Sequence, residues 1–293
     1  MTSRSIADRA AEPAAKPLAE PDADLQRRFG GLARLYGAAG AQAIARAHVV
    51  VVGIGGVGSW AVEALARSGV AALTLIDLDH IAESNVNRQV HALSSTLGQA
   101  KVQAMRERIE QIHPACQVHC IEDFVSPDNW PALAGLEAGS DRPLAVIDCC
   151  DQVSAKLAMA AWALSWRGAF VSVGAAGGKR QAHRVDLADL AEVTHDPLLA
   201  QLRYRLRRQH GAPRDKKIGV SCVFSREPVL QPQTQPVLQC EVDSQAAPAH
   251  DSSLNCHGYG SVVSVTSTFG LCAAGWVLDQ IAARAQAPKN FSL

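Results

Sequence analysis

His48–Gly58 reads HVVVVGIGGVG. A histidine followed by four consecutive valines has the composition of a strand buried on both faces, as in a parallel sheet. The glycines behind it supply no packing volume. Gly53, Gly55 and Gly58 fit G-x-G-x-x-G, with Gly56 as an additional small residue, and SWAVEALARSG follows with Val62, Leu65 and Ala66 at helical spacing before Gly69. Strand, glycine turn and helix in this order predict a phosphate cradle: glycines permit positive φ and close approach of backbone to a diphosphate, and the helix start favours negative charge. Nucleotide binding is therefore the leading expectation, against the alternative of a tight turn with no ligand.

The 293 residues, 48% hydrophobic, suffice for one main α/β domain. Equal numbers of basic and acidic residues, 28 each, exclude a global basic field, so contact with nucleic acid would need a local patch. The cysteines (116, 120, 149, 150, 222, 240, 256 and 272) form no C-x-x-C pair, which argues against a structural zinc site and a disulfide scaffold. Residues 1–24 are polar and rich in Ala and Pro and read as a disordered tail without a secretory signal, implying a cytoplasmic protein.

Outward from the cradle, Ala72–Asp77 forms a second strand that ends in a carboxylate, 19 residues after Gly58, where it can accept hydrogen bonds from ribose hydroxyls. An NAD-dependent oxidoreductase reads the same to this point. The next segment departs from it: Asn85, Asn87, Arg88 and Gln89 crowd together, and Lys101 opens a helix over 98–112. A dinucleotide's diphosphate is handled by the glycine turn alone. The β- and γ-phosphates of a triphosphate call for added cations.

A third strand is expected at Gln117–Ile121 and a fourth at Leu144–Asp148, the latter running into DCCDQ. This sets Asp148 and Asp151 at the carboxyl edge of the sheet, where ligands of open parallel sheets bind. Of the two, Asp151 is the better candidate for Mg²⁺, and Asp148 reads as a cap of the helix that follows over 153–166. Cys149 and Cys150 read as small buried residues. A further strand at Ala169–Val173 leads into GAAGGKR. The run Arg203–Lys217 holds Arg203, Arg205, Arg207, Arg208, Arg214, Lys216 and Lys217. With Lys179 and Arg180 it is the candidate contact for an RNA backbone. Residues 227–255, rich in Gln, Pro and Ser, read as a long loop that could serve as a lid. Residues 258–282 are largely apolar. Their five hydroxyl residues and small side chains suit a helix packed on the sheet or on a dimer mate better than a membrane span.

RFGGLARLYG, VVVGIGGVGSW, LIDLD, SNVNRQVHAL, GQAK, DCCDQ, DPLL and VSCVFS, in this order from Arg28 to the C-terminal helix, resemble the ubiquitin-activating-type adenylating enzymes. Within that family they resemble the branch that dehydrates threonylcarbamoyladenosine beside a tRNA anticodon, in company with a cysteine desulfurase system. The resemblance implies a Rossmann-like, mostly parallel sheet with helices on both faces. This would form one domain over 25–284, with a C-terminal helical and loop extension and a short tail from 285. It implies ATP as the nucleotide: Gly53, Gly55, Gly56 and Gly58 cradling phosphate, Asp77 on the ribose, Asn85, Gln89, Arg88 and Lys101 around the triphosphate, and Asp151 on Mg²⁺. It also implies a homodimer in which an N-terminal arginine reaches the partner's site. Arg34 fits that role first and Arg28 second, since the Gly30–Gly31 pair leaves the choice open. Cys222 stands open as a nucleophile or sulfur relay on one side and a packed strand residue on the other. Activating enzymes for molybdopterin and thiamine sulfur carriers usually carry two C-x-x-C zinc pairs, and their absence disfavours that branch. A sulfur-carrier adenylyltransferase, a sulfur-trafficking adaptor and, more remotely, an NAD oxidoreductase remain the competing expectations.

Overall fold

A computed structural model describes residues 21–136, 144–231 and 259–287 of the chain. Among them seven strands form one sheet in the order β3-β2-β1-β4-β5-β7-β6: β1 His48–Val52, β2 Ala72–Ile76, β3 Gln117–Ile121, β4 Leu144–Asp148, β5 Ala169–Val173, β6 Val185–Asp189 and β7 Ser221–Ser225. All neighbours are parallel except β6 and β7. The valine run is the centre of the sheet. Val49–Val51 are fully buried and Val52 nearly so, each side chain contributing about 1.5–3 kcal/mol by leaving water.

Because side chains alternate across a strand, β1 feeds two cores. Val49 and Val51 join Leu73, Leu75, Ile147 and Val171 beneath helices α2 (Leu32–Ile44), α3 (Gly58–Arg67), α4 (Lys101–Ile112) and α7 (Val263–Gln286). Val50 and Val52 join Val146, Phe170 and Phe224 beneath α5 (Val153–Ala163) and α6 (Pro197–Gln209). Helix α3 stops where Gly69 takes φ +69°: its N–H bonds Ala66 O at 3.1 Å and that of Val70 bonds Leu65 O at 3.3 Å, closing the last turn.

Helix α1 occupies Pro21–Phe29, with Pro at its first position, so the last residues of the stretch 1–24 read as a tail are helical; residues 1–20 lie outside the described part. The apolar C-terminal stretch is helical from Val263 to Gln286, five residues later at its start than its composition suggests. It is part of the core. Val265, Phe269, Ala273, Val277 and Ile281 recur every four residues on its buried face, and a Cβ at Gly270 would stand 2.3 Å from Val57 O. Its small residues thus let two helices approach closely, and no helix among the described residues is long and apolar enough to cross a membrane. Of the expected loop 227–255, residues 232–255 lie outside the described part, as do Cys240 and Cys256.

Candidate active site

Strands β1 to β3 run outward on one side of the sheet and β4, β5 and β7 on the other, so the order reverses between β1 and β4. At such a switch point the two connections diverge and leave a crevice at the carboxyl ends. The loop after β1 is the glycine turn and the loop after β4 is DCCDQ. They touch: a Cβ on Gly53 would lie 2.9 Å from the carbonyl carbon of Cys149 and 3.0 Å from the amide nitrogen of Cys150. Gly53, at φ +85°, is the one glycine of the cradle in the left-handed region. Gly58 is required for a different reason, because its Cβ would sit 1.8 Å from Gly53 O.

The residues singled out after β2 surround this turn. Asp77 accepts the amide of Ile54 at 2.6 Å through one oxygen and that of Asp79 at 2.9 Å through the other. It therefore holds the turn open while retaining lone pairs for a ribose hydroxyl. Burial raises its pKa against the opposing pull of Lys101, whose ammonium lies 3.8 Å away and 2.6 Å from Asp79. Arg88 lies across Gly56, where a Cβ would meet its Cγ at 3.1 Å and its Nε at 3.5 Å. Its Nη1 donates to Ser84 O at 2.5 Å and Asn87 Oδ1 at 2.9 Å, and its carbonyl accepts the indole N–H of Trp60 at 2.9 Å. A guanidinium has five N–H groups, so others remain for a ligand. Gln89 has its amide nitrogen 3.9 Å from the position of a Cβ on Gly55, and its carboxamide oxygen is buried without a partner among the described residues. The atom nearest the cradle is thus the amide nitrogen, a donor suited to a phosphate oxygen. Asn85 is used structurally, its side-chain oxygen accepting the amide of Ala82 at 3.1 Å.

The two carboxylates of DCCDQ separate clearly. Asp148 is fully buried, paired with the Lys156 ammonium at 2.9 Å and accepting the Ser172 hydroxyl at 2.6 Å. Lys156 also donates to Val173 O at 2.7 Å, and the coulombic pull of Asp148 overrides burial to keep its pKa above the ordinary lysine value. Asp148 thus neither caps α5, whose N-cap is Gln152, nor faces a ligand. Asp151, half-buried, is the remaining carboxylate at the edge. No group of three or more His, Cys, Asp or Glu among the described residues could hold a metal ion. One carboxylate fits Mg²⁺ delivered with phosphate oxygens, the usual mode of that ion, rather than a cage built from protein alone.

Three expected site residues are placed elsewhere. Cys222 is a core residue of β7, fully buried, with burial pushing its thiol pKa far up. Burial raises the Cys116, Cys120, Cys149, Cys150 and Cys272 thiols as well, so no described cysteine is poised as a thiolate for sulfur relay. Cys222→Ala is expected to retain turnover within about threefold in a pyrophosphate-release assay; the nucleophile reading requires its loss. Lys179 is buried, its ammonium donating to His195 O at 2.9 Å and Glu227 O at 2.7 Å, and is unavailable to RNA. Arg28 is held by Asp24 at 2.6 Å and Ile112 O at 3.2 Å, whereas Arg34 is exposed with no partner among the described residues.

Sequence reading passed over His91, two residues beyond Gln89. It is 2% exposed, with neither ring nitrogen hydrogen-bonded, and lines a groove of about 720 Å³ with Arg28, Arg67 and Arg108. Burial, then Lys101 and Arg108, lower its pKa to about 4. Between an unfolded value of about 6.5 and this folded value the unfolded chain binds more protons, so stability falls as pH drops through that window, by up to about 3 kcal/mol. His91→Gln should flatten this slope in urea titrations at pH 7 and pH 4.5, and an unchanged slope would refute the assignment.

Residues 28–292 match the ThiF family. The chain belongs to the ThiF family. A relative from Escherichia coli, named tRNA threonylcarbamoyladenosine dehydratase, is 42% identical over 263 residues, which cover 89% of this chain and 95% of the relative. The Haemophilus influenzae protein of the same name is 39% identical, covering 87% and 94%. A crystal structure of the Escherichia coli dehydratase TcdA in complex with ATP superposes with a TM-score of 0.76 at 40% identity, covering 89% of this chain and 96% of that one. The mostly parallel sheet, with helices on both faces and an apolar C-terminal helix, is thus the ThiF-family architecture expected from the cradle outward.

Proposed function

We propose that this protein is an ATP-dependent tRNA threonylcarbamoyladenosine dehydratase. The observation that carries the reading is Arg88 lying across Gly56 at the mouth of the glycine turn, a cation where a dinucleotide needs none. Similarity to proteins of that name along nearly the whole chain supports the substrate.

A carboxylate is a poor electrophile because its leaving group would be oxide. Attack by the threonyl carboxylate on the α-phosphorus of ATP forms a mixed anhydride and releases pyrophosphate. An atom of the neighbouring carbamoyl group then closes a ring on the acyl carbon and expels AMP, so the nucleoside loses one water. Closure is intramolecular and benefits from a high effective concentration. The chain's part is positioning and charge neutralisation. The amides of the glycine turn receive phosphate, Asp77 accepts from the ribose, Arg88 spreads its N–H groups over the β- and γ-phosphates, and Gln89 adds the amide N–H that lies nearest the cradle. Lys101, held at 2.6 Å by Asp79, adds positive charge on the ribose side. Asp151 would hold Mg²⁺, which supplies further neutralisation of the leaving pyrophosphate. Exposed Arg34 fits the role of reaching a second copy's site in a homodimer.

The deciding experiment mixes the pure protein with ATP, Mg²⁺ and tRNA bearing the threonylcarbamoyl group. AMP, pyrophosphate and a product nucleoside lighter by one water are expected. Nicotinamide binding without pyrophosphate release would support an oxidoreductase, and transfer of AMP to a sulfur-carrier protein in place of tRNA would support the adenylyltransferase alternative.

A further inference from the structure

Helix α6 begins at the carboxyl edge of the sheet. Asp196, its N-cap, accepts the amides of Leu199 and of Ala175, just beyond β5, both at 2.9 Å. Its inner face is buried through Leu198, Leu199, Leu202 and Leu206, which leaves the outer positions to solvent. Ala200, Tyr204 and Arg208 follow each other every four residues there and share one face. They line a groove of about 460 Å³ with Arg203, Arg207 and Arg214, and none of the six lining residues is acidic.

The basic residues of this groove are not equivalent. Arg203 turns inward, donating to Leu190 O at 3.0 Å and Val193 O at 2.8 Å. Arg207 donates to Pro213 O at 3.2 Å and so fastens the loop that carries Arg214. Arg208 and Arg214 are left exposed on the groove, and Tyr204, 60% exposed, lines it beside them with its hydroxyl accepting from Arg208 at 3.3 Å. An aromatic ring kept in water beside arginines, in a groove of ligand size, lacks a packing explanation. Phosphate alone would be served by the guanidiniums. The ring adds a π-face, which an unstacked base can cover.

We infer that Tyr204 is a stacking platform for an unpaired base of RNA, with Arg208 and Arg214 on the flanking phosphates. The groove lies about 12 Å along the helix from the sheet edge. The inference rests on the tRNA reading and deepens it: the groove holds a nucleotide of the anticodon loop other than the one being modified.

The test titrates the full-length protein into a labelled tRNA anticodon stem–loop, and into the same stem closed as a continuous duplex, across a range of salt. Tyr204→Ala should weaken stem–loop binding about tenfold without changing the salt dependence, the modest end of the loss expected for one stacked base. Tyr204→Phe should restore it to within about twofold, because the ring and not the hydroxyl makes the contact. Arg214→Ala should reduce the slope of log affinity against log salt by about one. Equal affinity of Tyr204→Ala and the parent for the stem–loop, or an equal loss on stem–loop and duplex, overturns the inference while leaving the tRNA reading intact. Absence of any stem–loop binding by the parent, together with absence of tRNA-dependent pyrophosphate release, removes the tRNA reading itself and the inference with it.

Discussion

Arg88→Ala is expected to lower tRNA-dependent pyrophosphate release by at least about a thousandfold, the scale on which a single arginine acts in phosphoryl transfer. The side chain lies within 3.1–3.5 Å of where a Cβ on Gly56 would stand, so its removal opens the cradle mouth to water as well as deleting charge. Charge on the departing pyrophosphate is greater in the transition state than in bound ATP. The loss should therefore fall on kcat more than on the KM for ATP. Arg88→Lys keeps a cation but loses the planar fork that spans two oxygens, and should recover only part of the rate. Asp151→Ala is expected to act on the same step, with a loss that raising Mg²⁺ partly reverses. Turnover of Arg88→Ala within tenfold of the parent would sink the assignment of the triphosphate to this side of the crevice.

The second large effect is on stability. Asp148→Ala leaves the Lys156 ammonium fully buried with only the Ser172 hydroxyl at 3.3 Å and carbonyl oxygens around it. Breaking a buried pair on one side costs about 3–5 kcal/mol, because the remaining charge is uncompensated. The pair cannot be traded for a surface effect, since both side chains are 0% exposed. Urea denaturation should show the midpoint fall with little change in slope. Asp148→Ala combined with Lys156→Met should recover much of the loss, because the apolar replacement removes the stranded charge. A single-variant loss under about 1 kcal/mol would show that water or a rearranged loop reaches Lys156. The pair also anchors the segment leading to Asp151: Asp148 accepts the Cys150 amide at 3.2 Å and its thiol at 2.9 Å. The same variant should consequently weaken turnover beyond what partial unfolding explains.

Much of the fold was legible along the chain. Strands β1, β2, β4 and β5 stand where the runs VVVV, ALTLI, LAVID and AFVSV set them, since a strand buried on both faces calls for nearly continuous apolar sequence, and β3, the half-exposed edge strand QVHCI, also stands where expected. The glycine turn, and the placement of Asp77 and Arg88 against it, were legible because their spacing is tied to short, stiff elements. Strand β6 was not recognised. VDLAD is half-polar and pairs antiparallel at the sheet edge, where one side needs no burial. Lys179 reads as part of a basic cluster and is buried instead, because the carbonyls that receive its ammonium come from residues 16 and 48 positions away.

Local residue order by itself determined the strand–glycine–helix turn, the carboxylate after the second strand and the cations beyond it, because each depends on backbone geometry within a few residues. Which carboxylate of DCCDQ is locked in the core and which stays at the edge, which arginines of the basic run turn inward, and that Cys222 on β7 is sealed in the core were decided by tertiary structure alone. Desolvation and pairing partners come from distant segments, and whether a charge or thiol is exposed is a property of the packed assembly of elements rather than of its neighbours in sequence.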